Sequence, residues 1–369
     1  MDFAFSEEQE ELRRYVRQWL EEESSPETVR ELMSSHEGYS PEQWSEIAEM
    51  GWQSMAIPEE YGGAGFGFLE LAVLLEEQGR ALFTAPFFSS TVLAAHALLI
   101  AGSEEQKKEF LPKIAAGEIV ASVAASDHDG HLTVDGTEAT ARRDGDGWVL
   151  DGTKRFVLDG RAARYLIVTA KTDEGVAAFI VDGAEINGSV LPTMDETRKQ
   201  AEIEFGEVRV PHDHLLPGNA TEMLAKLDLI ASTAIAVESL GAAQACLDMS
   251  VEYAKERTQF GRPIGSFQAI KHKCAEMLVQ VEAAKSAAYY AAWAVSEGAA
   301  DLESVASVAK AYCTDAFFDC AAENIQIHGG IGFTWEHDAH LYFKRAKSSQ
   351  LMFGSPGDHR RRVAAALDL

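Results

Sequence analysis

Residues 252–277 read EYAKERTQFGRPIGSFQAIKHKCAEM and join two long stretches of helical periodicity. Arg257 offers a planar, forked cation that suits bidentate recognition of a phosphate. Phe260 adds a flat aromatic face, a glycine and a proline turn the chain, and Gln268 adds an amide that can read the edge of an adenine. Taken alone, the stretch fits a nucleotide-binding turn and a plain surface turn between two helices equally well.

Outward from this stretch, three zones differ in the period of their apolar residues. In 1–118 and in 222–369 apolar residues recur at helical spacing, and Ser6, followed by acidic residues, predicts an N-cap. In 119–221 short β-branched and aromatic runs are broken roughly every eight to twelve residues by Asp-Gly or Gly, which indicates hairpins of a small antiparallel sandwich or barrel. The sequence therefore predicts a mostly α protein with a central β-domain.

Composition narrows the class of protein. The 369 residues are 46% hydrophobic and 25% charged, as in a soluble globular protein, and carry a net charge of −27. A field of that sign repels phosphate backbones and anionic lipid, so we expect neither a nucleic-acid nor a membrane partner. Four cysteines without a C-x-x-C pattern predict buried free thiols, and the absence of a signal-peptide pattern predicts a cytoplasmic protein.

Three motifs resemble those of the acyl-CoA dehydrogenases. The opening stretch is similar to their R-x-x-F-G-x-P-I-x-x-[FH]-Q-[AS] signature, and QIHGGIGF, beginning at Gln326, is similar to Q-x-x-G-G-x-G-[FY]. GWQSMAIPEEYGGAG, beginning at Gly51, resembles the family's G-[WL]-x-x-x-x-[IV]-P-E-E-Y-G-G loop. The resemblance covers essentially the whole chain and implies a helical N-terminal domain, an antiparallel β middle domain and a C-terminal four-helix bundle.

The resemblance also implies FAD as the cofactor. In the family, the positions of the first two motifs hold the ADP part of FAD from the neighbouring subunit, and glycines there let the backbone approach the dinucleotide closely. The implied cofactor-binding residues are Arg257, Phe260, Gln268, Gln326, Gly329 and Gly330.

The resemblance places Phe353 at the position of the usual catalytic base, and Phe353 cannot accept a proton. In many family members a Glu in [IV]-Y-E-G-[TS] removes the α-proton of the acyl-CoA while hydride leaves the β-carbon. Counting from Gln326, that position is Phe353, in LMFGS, and a phenyl ring cannot accept a proton. Some relatives place the base on the helix before the R-x-x-F-G motif, but the matching stretch here, Ile230 to Ser232, has no carboxylate, and Glu238 lies about two turns further on. Glu238 is either an unrecognised base or an interhelical carboxylate.

The β-zone departs from the family at its flavin-facing segments. The [LT]-T-E-P-x-x-G-S-D loop reads SVAASDHDGHL at 122–132, and K-x-[FWY]-[IV]-[ST]-N-[AG] reads KRFVLDG at 154–160. Leu158 replaces the hydroxyl that would bond the flavin ring, and Asp159 replaces the Asn. The resemblance thus implies a chain that keeps the half-site reaching a neighbour's FAD and loses the half-site for its own flavin ring.

Three functions fit these observations. The first is a base-lacking subunit of an α2β2 heteromeric acyl-CoA dehydrogenase of the steroid side-chain type, whose homologous catalytic partner holds most of the acyl-CoA and passes electrons to an electron transfer flavoprotein. The second is a self-sufficient homo-oligomeric dehydrogenase with Glu238 as base, and the third is a non-enzymatic binding protein. HDH at 212–214 and EHDAH at 336–340 lack a third ligand at an established spacing, so no metal site is predicted.

Overall fold

The structure, a computed structural model, describes residues 6–369. The α-helices in that range are α1 (Glu7–Glu23), α2 (Pro26–Ser34), α3 (Pro41–Glu49), α4 (Phe68–Arg80), α5 (Ala95–Ala101), α6 (Glu104–Ala115), α7 (Ala220–Glu256), α8 (Gln268–Glu297), α9 (Leu302–His328), α10 (Ala339–Leu351) and α11 (Pro356–Ala366). The strands are β1 (Ala121–Ala124), β2 (Thr140–Asp144), β3 (Gly147–Leu158), β4 (Tyr165–Thr172), β5 (Gly175–Asp182), β6 (Asn187–Val190), β7 (Gln200–Val210), β8 (Thr258–Gln259) and β9 (Arg262–Pro263). The predicted order of helical, β and helical zones is confirmed.

The start of α1 confirms the predicted N-cap. The Ser6 hydroxyl accepts a hydrogen bond from the Gln9 backbone amide at 3.2 Å, and the Gln9 side chain accepts one from the Ser6 amide at 2.9 Å. This reciprocal pair satisfies two backbone donors that a helix N-terminus otherwise leaves without partners.

The large sheet is mixed, so the prediction of a purely antiparallel β-zone is wrong in part. The predicted tight turns do form hairpins, between β2 and β3 and between β4 and β5, and β7 pairs antiparallel with β3 and β6. However, β1 pairs parallel with β4, and β2 meets β4 in parallel at one position. Turn residues set the direction only of the strands they join, and neither of these pairs is joined by a turn.

Two compact units make up the chain. One contains the N-terminal residues up to Arg30, Phe68–Phe83 and Ser232–Leu369; the other contains Glu31–Gly67 and Thr84–Ala231. The boundaries predicted at 118 and 221 rest on the sequence pattern alone.

A charge network explains why N-terminal helices belong to the C-terminal unit. The Arg13 guanidinium on α1 donates to the Glu76 carboxylate on α4 at 3.0 Å and to the Tyr289 hydroxyl on α8 at 2.6 Å. The Tyr289 hydroxyl in turn donates to Glu76 at 2.7 Å. Arg17 adds a two-point contact to the buried Glu77, at 2.8 and 2.7 Å. Arg13, Glu76 and Glu77 are largely buried, so each of these charges depends on its partners, and the three helices are held as one unit.

The long helix α7 belongs to the core. By length and composition alone it could span a membrane, but 83% of its most apolar 18-residue stretch is buried within the chain. Three cysteines, Cys246, Cys313 and Cys320, are buried free thiols as predicted. Cys274 is only partly buried, so the prediction is wrong there, because that turn of α8 is not fully covered.

Two glycines let α4 and α7 approach closely. A Cβ atom at Gly241 would lie 1.8 Å from the Glu76 carbonyl oxygen, and one at Gly79 would lie 2.0 Å from the Glu238 carbonyl oxygen. Any side chain at either position therefore requires the helix backbones to separate.

We expect Gly241→Ala to lower the free energy of unfolding by at least ~2 kcal/mol, since overpacking against backbone forces the helices apart. Denaturant titration followed by circular dichroism measures the change. The matched control is Gly206→Ala, where a Cβ would meet nothing within 4 Å and no loss is expected. Equal stability of the two variants would contradict the close helix contact.

Candidate functional site

The turn between α7 and α8 presents an aromatic ring to solvent. Phe260 and Gly261 have φ angles of 52° and 77°, the left-handed pair that a two-residue type I′ turn between β8 and β9 requires. A non-glycine residue in this region is strained by about 1 kcal/mol or more. The Phe260 side chain is nevertheless 92% exposed and touches the chain only edge-on at Phe267, with ring centroids 6.1 Å apart. In this turn the ring points away from the chain and is open to another molecule.

The same turn is a basic island in an acidic chain. Residues 257–273 contain four Arg and Lys residues and no Asp or Glu, although the chain carries a net charge of −27. Arg257 is exposed, and its guanidinium pairs with no carboxylate among residues 6–369. Gln268 is the exposed first residue of α8, whose N-terminus has no side-chain cap. Free backbone N–H groups and a nearby guanidinium together favour an anion such as a pyrophosphate.

Two glycines at the end of α9, Gly329 and Gly330, differ from their neighbour Gly332 in the space around them. Gly329 has φ 65° and ψ −137°, a conformation that only glycine adopts readily. A Cβ at Gly332 would lie 2.9 Å from the Ile325 carbonyl oxygen, so packing within the chain explains that glycine. A Cβ at Gly330 would meet nothing within 4 Å. The chain itself gives no reason for glycine at position 330, which agrees with close approach by a ligand or partner.

The structure brings the two motifs to one end of the helical bundle. The Tyr253 ring, one turn before Arg257, stacks on the His328 ring at 4.2 Å, and His328 lies two residues after the exposed Gln326. The Ser250 hydroxyl donates to the Asn324 side-chain oxygen at 2.9 Å. The residues predicted to bind the cofactor, Arg257, Phe260, Gln268, Gln326, Gly329 and Gly330, therefore occupy neighbouring helix ends. All of them are exposed.

Phe353 lies in a rigid elbow between α10 and α11. Its side chain is 4% exposed and its φ is 56°, while Gly354 follows with φ 97°. The fully buried Lys310 ammonium donates to the carbonyl oxygens of Gln350, at 2.8 Å, and of Gly354. The His359 Nε2 donates to the Phe353 carbonyl oxygen at 2.9 Å. The elbow that could present a carboxylate is thus held by buried donors, but it presents a phenyl ring.

Glu238, the alternative base, is held in a buried ion pair. Its carboxylate accepts a hydrogen bond from the Arg345 guanidinium on α10 at 2.8 Å, and both side chains are at least nine-tenths buried. A carboxylate buried in this way between two helices is not exposed to a substrate proton. The geometry is that of the interhelical carboxylate considered from the sequence.

The 122–132 loop of the β-unit turns its polar groups inward. The Ser126 hydroxyl accepts hydrogen bonds from the amides of Asp129 and Gly130, each at 2.9 Å. Asp127 meets the fully buried Lys154 ammonium at 2.7 Å, and Lys154 also donates to the Ala125 carbonyl at 2.9 Å. Burial lowers the pKa of Lys154, and Asp127 opposes that effect. These hydrogen bonds hold the loop in its fold and engage Ser126, Asp127 and Lys154 within the chain.

The segment 154–160 departs from the family pattern at Leu158 and Asp159 and matches it at Phe156. Leu158 is buried, and its carbonyl accepts from the Ser122 hydroxyl at 2.6 Å. The Asp159 carboxylate accepts from the Ser89 hydroxyl at 2.6 Å, which ties it to the π-helix Phe88–Ala94. Phe156, which matches the aromatic position of the family pattern, is exposed at a β-bulge with φ 55°.

The two histidine-containing segments have local partners. The His214 Nδ1 donates to the Ile180 carbonyl at 3.0 Å, and the His337 Nδ1 accepts from the Ala339 amide at 3.1 Å. Within residues 6–369 there is no group of three or more His, Cys, Asp or Glu side chains arranged to hold a metal ion.

Comparison with known proteins identifies the family. Sequence models of the acyl-CoA dehydrogenase N-terminal, middle and C-terminal domains match residues 6–118, 122–210 and 231–367. The chain is 35% identical to acyl-CoA dehydrogenase IpdE2 of Mycolicibacterium smegmatis, over 98% of this chain and 99% of that protein. The chain belongs to the acyl-CoA dehydrogenase family, whose members use FAD to dehydrogenate acyl-CoA thioesters.

Two solved structures of heteromeric or steroid-related members are also similar. The ChsE4-ChsE5 complex from Mycobacterium tuberculosis matches with a TM-score of 0.91 and 29% identity, over 100% of this chain and 99% of that chain. A variant of the Tcur3481-Tcur3483 steroid acyl-CoA dehydrogenase matches with a TM-score of 0.87 and 30% identity, over 98% of both chains. The fold class predicted from the sequence is therefore confirmed.

The residues at the bundle end fit FAD. An exposed guanidinium, uncapped backbone donors and a glycine with open space above it suit a pyrophosphate that approaches the backbone. The bound flavin supplies the hydride acceptor of the family's reaction.

The His359 contact makes the Phe353 elbow sensitive to acid. Burial and the Lys310 charge lower the pKa of His359 from 6.5 to about 4. Its Nδ1 is buried without a hydrogen-bond partner, so a proton there would be unpaired. The folded pKa lies below the unfolded one, so this contribution to stability is present above the unfolded pKa of 6.5 and is lost as the pH falls towards 4.

We expect the free energy of unfolding to fall by ~2 kcal/mol more in the wild type than in His359→Gln between pH 7.5 and pH 5, because each pKa unit corresponds to about 1.4 kcal/mol. Denaturant titrations at both pH values give the difference, and other titrating groups cancel in it. Parallel pH dependence in the two proteins would show that the imidazole is not held neutral.

Proposed function

We propose that this chain is the base-lacking subunit of a heteromeric, FAD-dependent acyl-CoA dehydrogenase, in which it completes a flavin site whose catalytic carboxylate belongs to a homologous partner. The observation that carries this proposal is a contrast within one unit. The nucleotide-facing surface is intact and directed outward, while the elbow for the base holds a buried phenylalanine.

The self-sufficient alternative has less support. It requires Glu238 to act as the base, but that carboxylate is buried against Arg345. If the chain were instead a non-enzymatic binding protein, Gly330 and the strained, exposed Phe260 would have no role, since packing within the chain requires neither. A heteromer accounts for both features at once.

Each retained residue has a role in the proposed complex. Arg257 clamps the pyrophosphate with its forked cation, Phe260 and Gln268 contact the nucleotide, and Gln326 with the two glycines lines its path. The partner holds the isoalloxazine ring, most of the acyl-CoA and the carboxylate that removes the α-proton. An α2β2 assembly is the arrangement we propose, with a steroid side-chain CoA ester as substrate class and an electron transfer flavoprotein as acceptor.

The similarity to the ChsE4-ChsE5 complex and to the Tcur3481-Tcur3483 steroid enzyme supports the heteromer and the substrate class. The proposed location is cytoplasmic, and the proposed complex has neither a nucleic-acid nor a membrane partner.

The isolated chain is expected not to dehydrogenate saturated acyl-CoA thioesters, since loss of a general base typically costs ~10²–10⁴-fold in rate. Phe353→Glu is expected not to restore activity, because the 122–132 loop and Asp159 use their polar groups within the chain. Reduction of an artificial electron acceptor with FAD and a panel of acyl-CoAs measures both. Robust turnover by the isolated wild type that disappears in Glu238→Gln would restore Glu238 as the base.

Arg257→Ala is expected to weaken FAD retention by the assembled complex by ~10–100-fold, because a charge-assisted contact contributes on the order of 1.5–3 kcal/mol. Arg257→Lys is expected to recover only part, since it keeps the charge and loses the fork. Flavin absorbance per complex after dialysis measures retention.

The control for that experiment is Arg142→Ala, which removes another exposed arginine whose contact is Glu207 at 3.3 Å. Its flavin content is expected to match the wild type. Unchanged flavin content in Arg257→Ala would reduce the motif to a plain turn between helices and would remove the basis of the shared-flavin proposal.

A further inference from the structure

An open cleft lies within the unit that contains the large sheet. The cleft has a volume of about 880 Å³, and its walls are the β2–β3 turn, the end of β5 with the residues after it, and the end of β7 with the residues after it. All of its lining residues fall within Thr84–Ala231, so the cleft belongs to one unit. Ligand sites in proteins occupy roughly 300–1,000 Å³, so this cleft is large enough to be one.

Three carboxylates of the cleft have no cationic partner. Asp146 lies in the β2–β3 turn, Glu185 ends the short helix after β5, and Asp213 lies in the helical turn after β7. All three are exposed, and within residues 6–369 none of their side chains forms an ion pair or a hydrogen bond. Three separate segments of the chain thus bring an unpaired negative charge to the same cleft.

The other two carboxylates of the wall are already neutralised. Asp144 pairs with Arg209 at 2.7 Å, and Asp182 pairs with Arg164 at 2.6 Å. These two pairs hold the wall together, whereas the three unpaired charges remain open to a ligand. A ligand that carries positive charges complements them.

The spacing of the carboxylates does not suit a compact ion. Although five carboxylates line the cleft, no group of three or more His, Cys, Asp or Glu side chains in residues 6–369 is arranged to hold a metal ion. Charges that share a cleft without sharing a coordination sphere fit a ligand whose cations are spaced along a chain. Polyamines and peptide segments rich in Lys or Arg both meet this condition.

A buried indole distinguishes these two ligands. Trp148 forms part of the cleft wall and is only 7% exposed. Its Nε1–H has no hydrogen-bond acceptor among residues 6–369. A buried donor without an acceptor is unfavourable, so a ligand that supplies one gains affinity. The protonated amines of a polyamine have no lone pair to offer, whereas a peptide has a carbonyl oxygen at every residue.

The contacts of the indole show which group a ligand can displace. The Phe179 ring, which is fully buried, meets Trp148 edge-on with the ring centroids 5.3 Å apart. The Arg143 guanidinium lies 5.0 Å from the centre of the indole, but Arg143 is exposed. An incoming cation can therefore take the place of Arg143 on the indole and open the ring to the ligand.

We propose that this cleft binds an extended peptide segment of another protein that carries several Lys or Arg residues. The cations of the segment pair with Asp146, Glu185 and Asp213, and one of its carbonyl oxygens accepts a hydrogen bond from the Trp148 Nε1. Arg257 and the other proposed flavin contacts belong to the other unit, so this site is independent of the proposed flavin sharing.

The experiment titrates the full chain with an acetylated, amidated hexapeptide of alternating arginine and glycine, and calorimetry at low ionic strength gives the dissociation constant. The affinity is expected to fall as salt is added, because exposed charge pairs are screened. The same peptide with glutamate in place of arginine is expected not to bind. Absence of binding by the arginine peptide would overturn the proposal.

Glu185→Gln combined with Asp213→Asn is expected to raise the dissociation constant at least ~5-fold, since each exposed charge pair contributes a factor of a few. Trp148→Phe is expected to raise it ~3–10-fold, because it removes the donor and keeps an aromatic ring. Thermal melts check that the variants are folded. The two carboxylate changes are at exposed positions, so they test the site even if Trp148→Phe is unstable.

Asp173→Asn combined with Glu174→Gln is the matched control. It removes the same two charges from the exposed turn at the opposite end of the eight-residue strand β5. The dissociation constant is expected to stay within about two-fold of the wild type. Equal weakening by the two double variants would show only a general attraction to an acidic chain, and the assigned site would be wrong.

Titration with spermidine tests the class of ligand. If spermidine binds as tightly as the arginine peptide and Trp148→Phe weakens neither, the cleft is a polyamine site and the peptide assignment is wrong. Flavin retention by the Arg257 variants is measured separately, so failure of the peptide site leaves the shared-flavin proposal standing, and failure of flavin sharing leaves the peptide site standing.

Discussion

The stacking of Tyr253 on His328 joins the end of α7 to the end of α9, and the arrangement of the candidate site depends on it. Arg257 lies one turn beyond the first ring, and Gln326 lies two residues before the second. With the buried hydrogen bond between Ser250 and Asn324, the stack fixes the register of two long helices. Two motifs separated by many residues in the chain therefore face the same side of the bundle, and the position of the glycines after His328 follows from that placement.

The carboxylates that could have served chemistry are instead used for structure. Glu238 is paired with Arg345, Asp127 with Lys154, and Asp159 accepts a hydrogen bond from Ser89. A buried charge is costly unless it is paired, so each of these groups stabilises its unit only while its partner is present. Glu238 and Asp127 are also buried, so neither carboxylate is exposed to a substrate. This use of carboxylates agrees with a subunit that supports a site without performing the proton transfer.

Features set by neighbouring residues were predicted well from the sequence. The Ser6 capping box and the β2–β3 and β4–β5 hairpins depend on contacts between residues a few positions apart. The phenylalanine at position 353 was also readable, because side-chain chemistry is a property of the residue itself. The parallel pairing of β1 with β4 was missed, since no turn joins those strands and hydrophobic periodicity carries no direction.

The sequence by itself determined the order of helical and β zones, the motifs that match the acyl-CoA dehydrogenase family and the phenylalanine at position 353. Only the tertiary structure decided that Glu238 is an ion-paired carboxylate, that α1 and α4 belong with the C-terminal helices, and that Asp146 and Asp213 line one cleft. The physical reason is the sequence separation between the residues that interact. Caps, turns and periodicity arise from interactions within a few residues, whereas burial and ion pairing depend on which distant segments meet, and Glu238 and Arg345 meet only when α7 and α10 are packed.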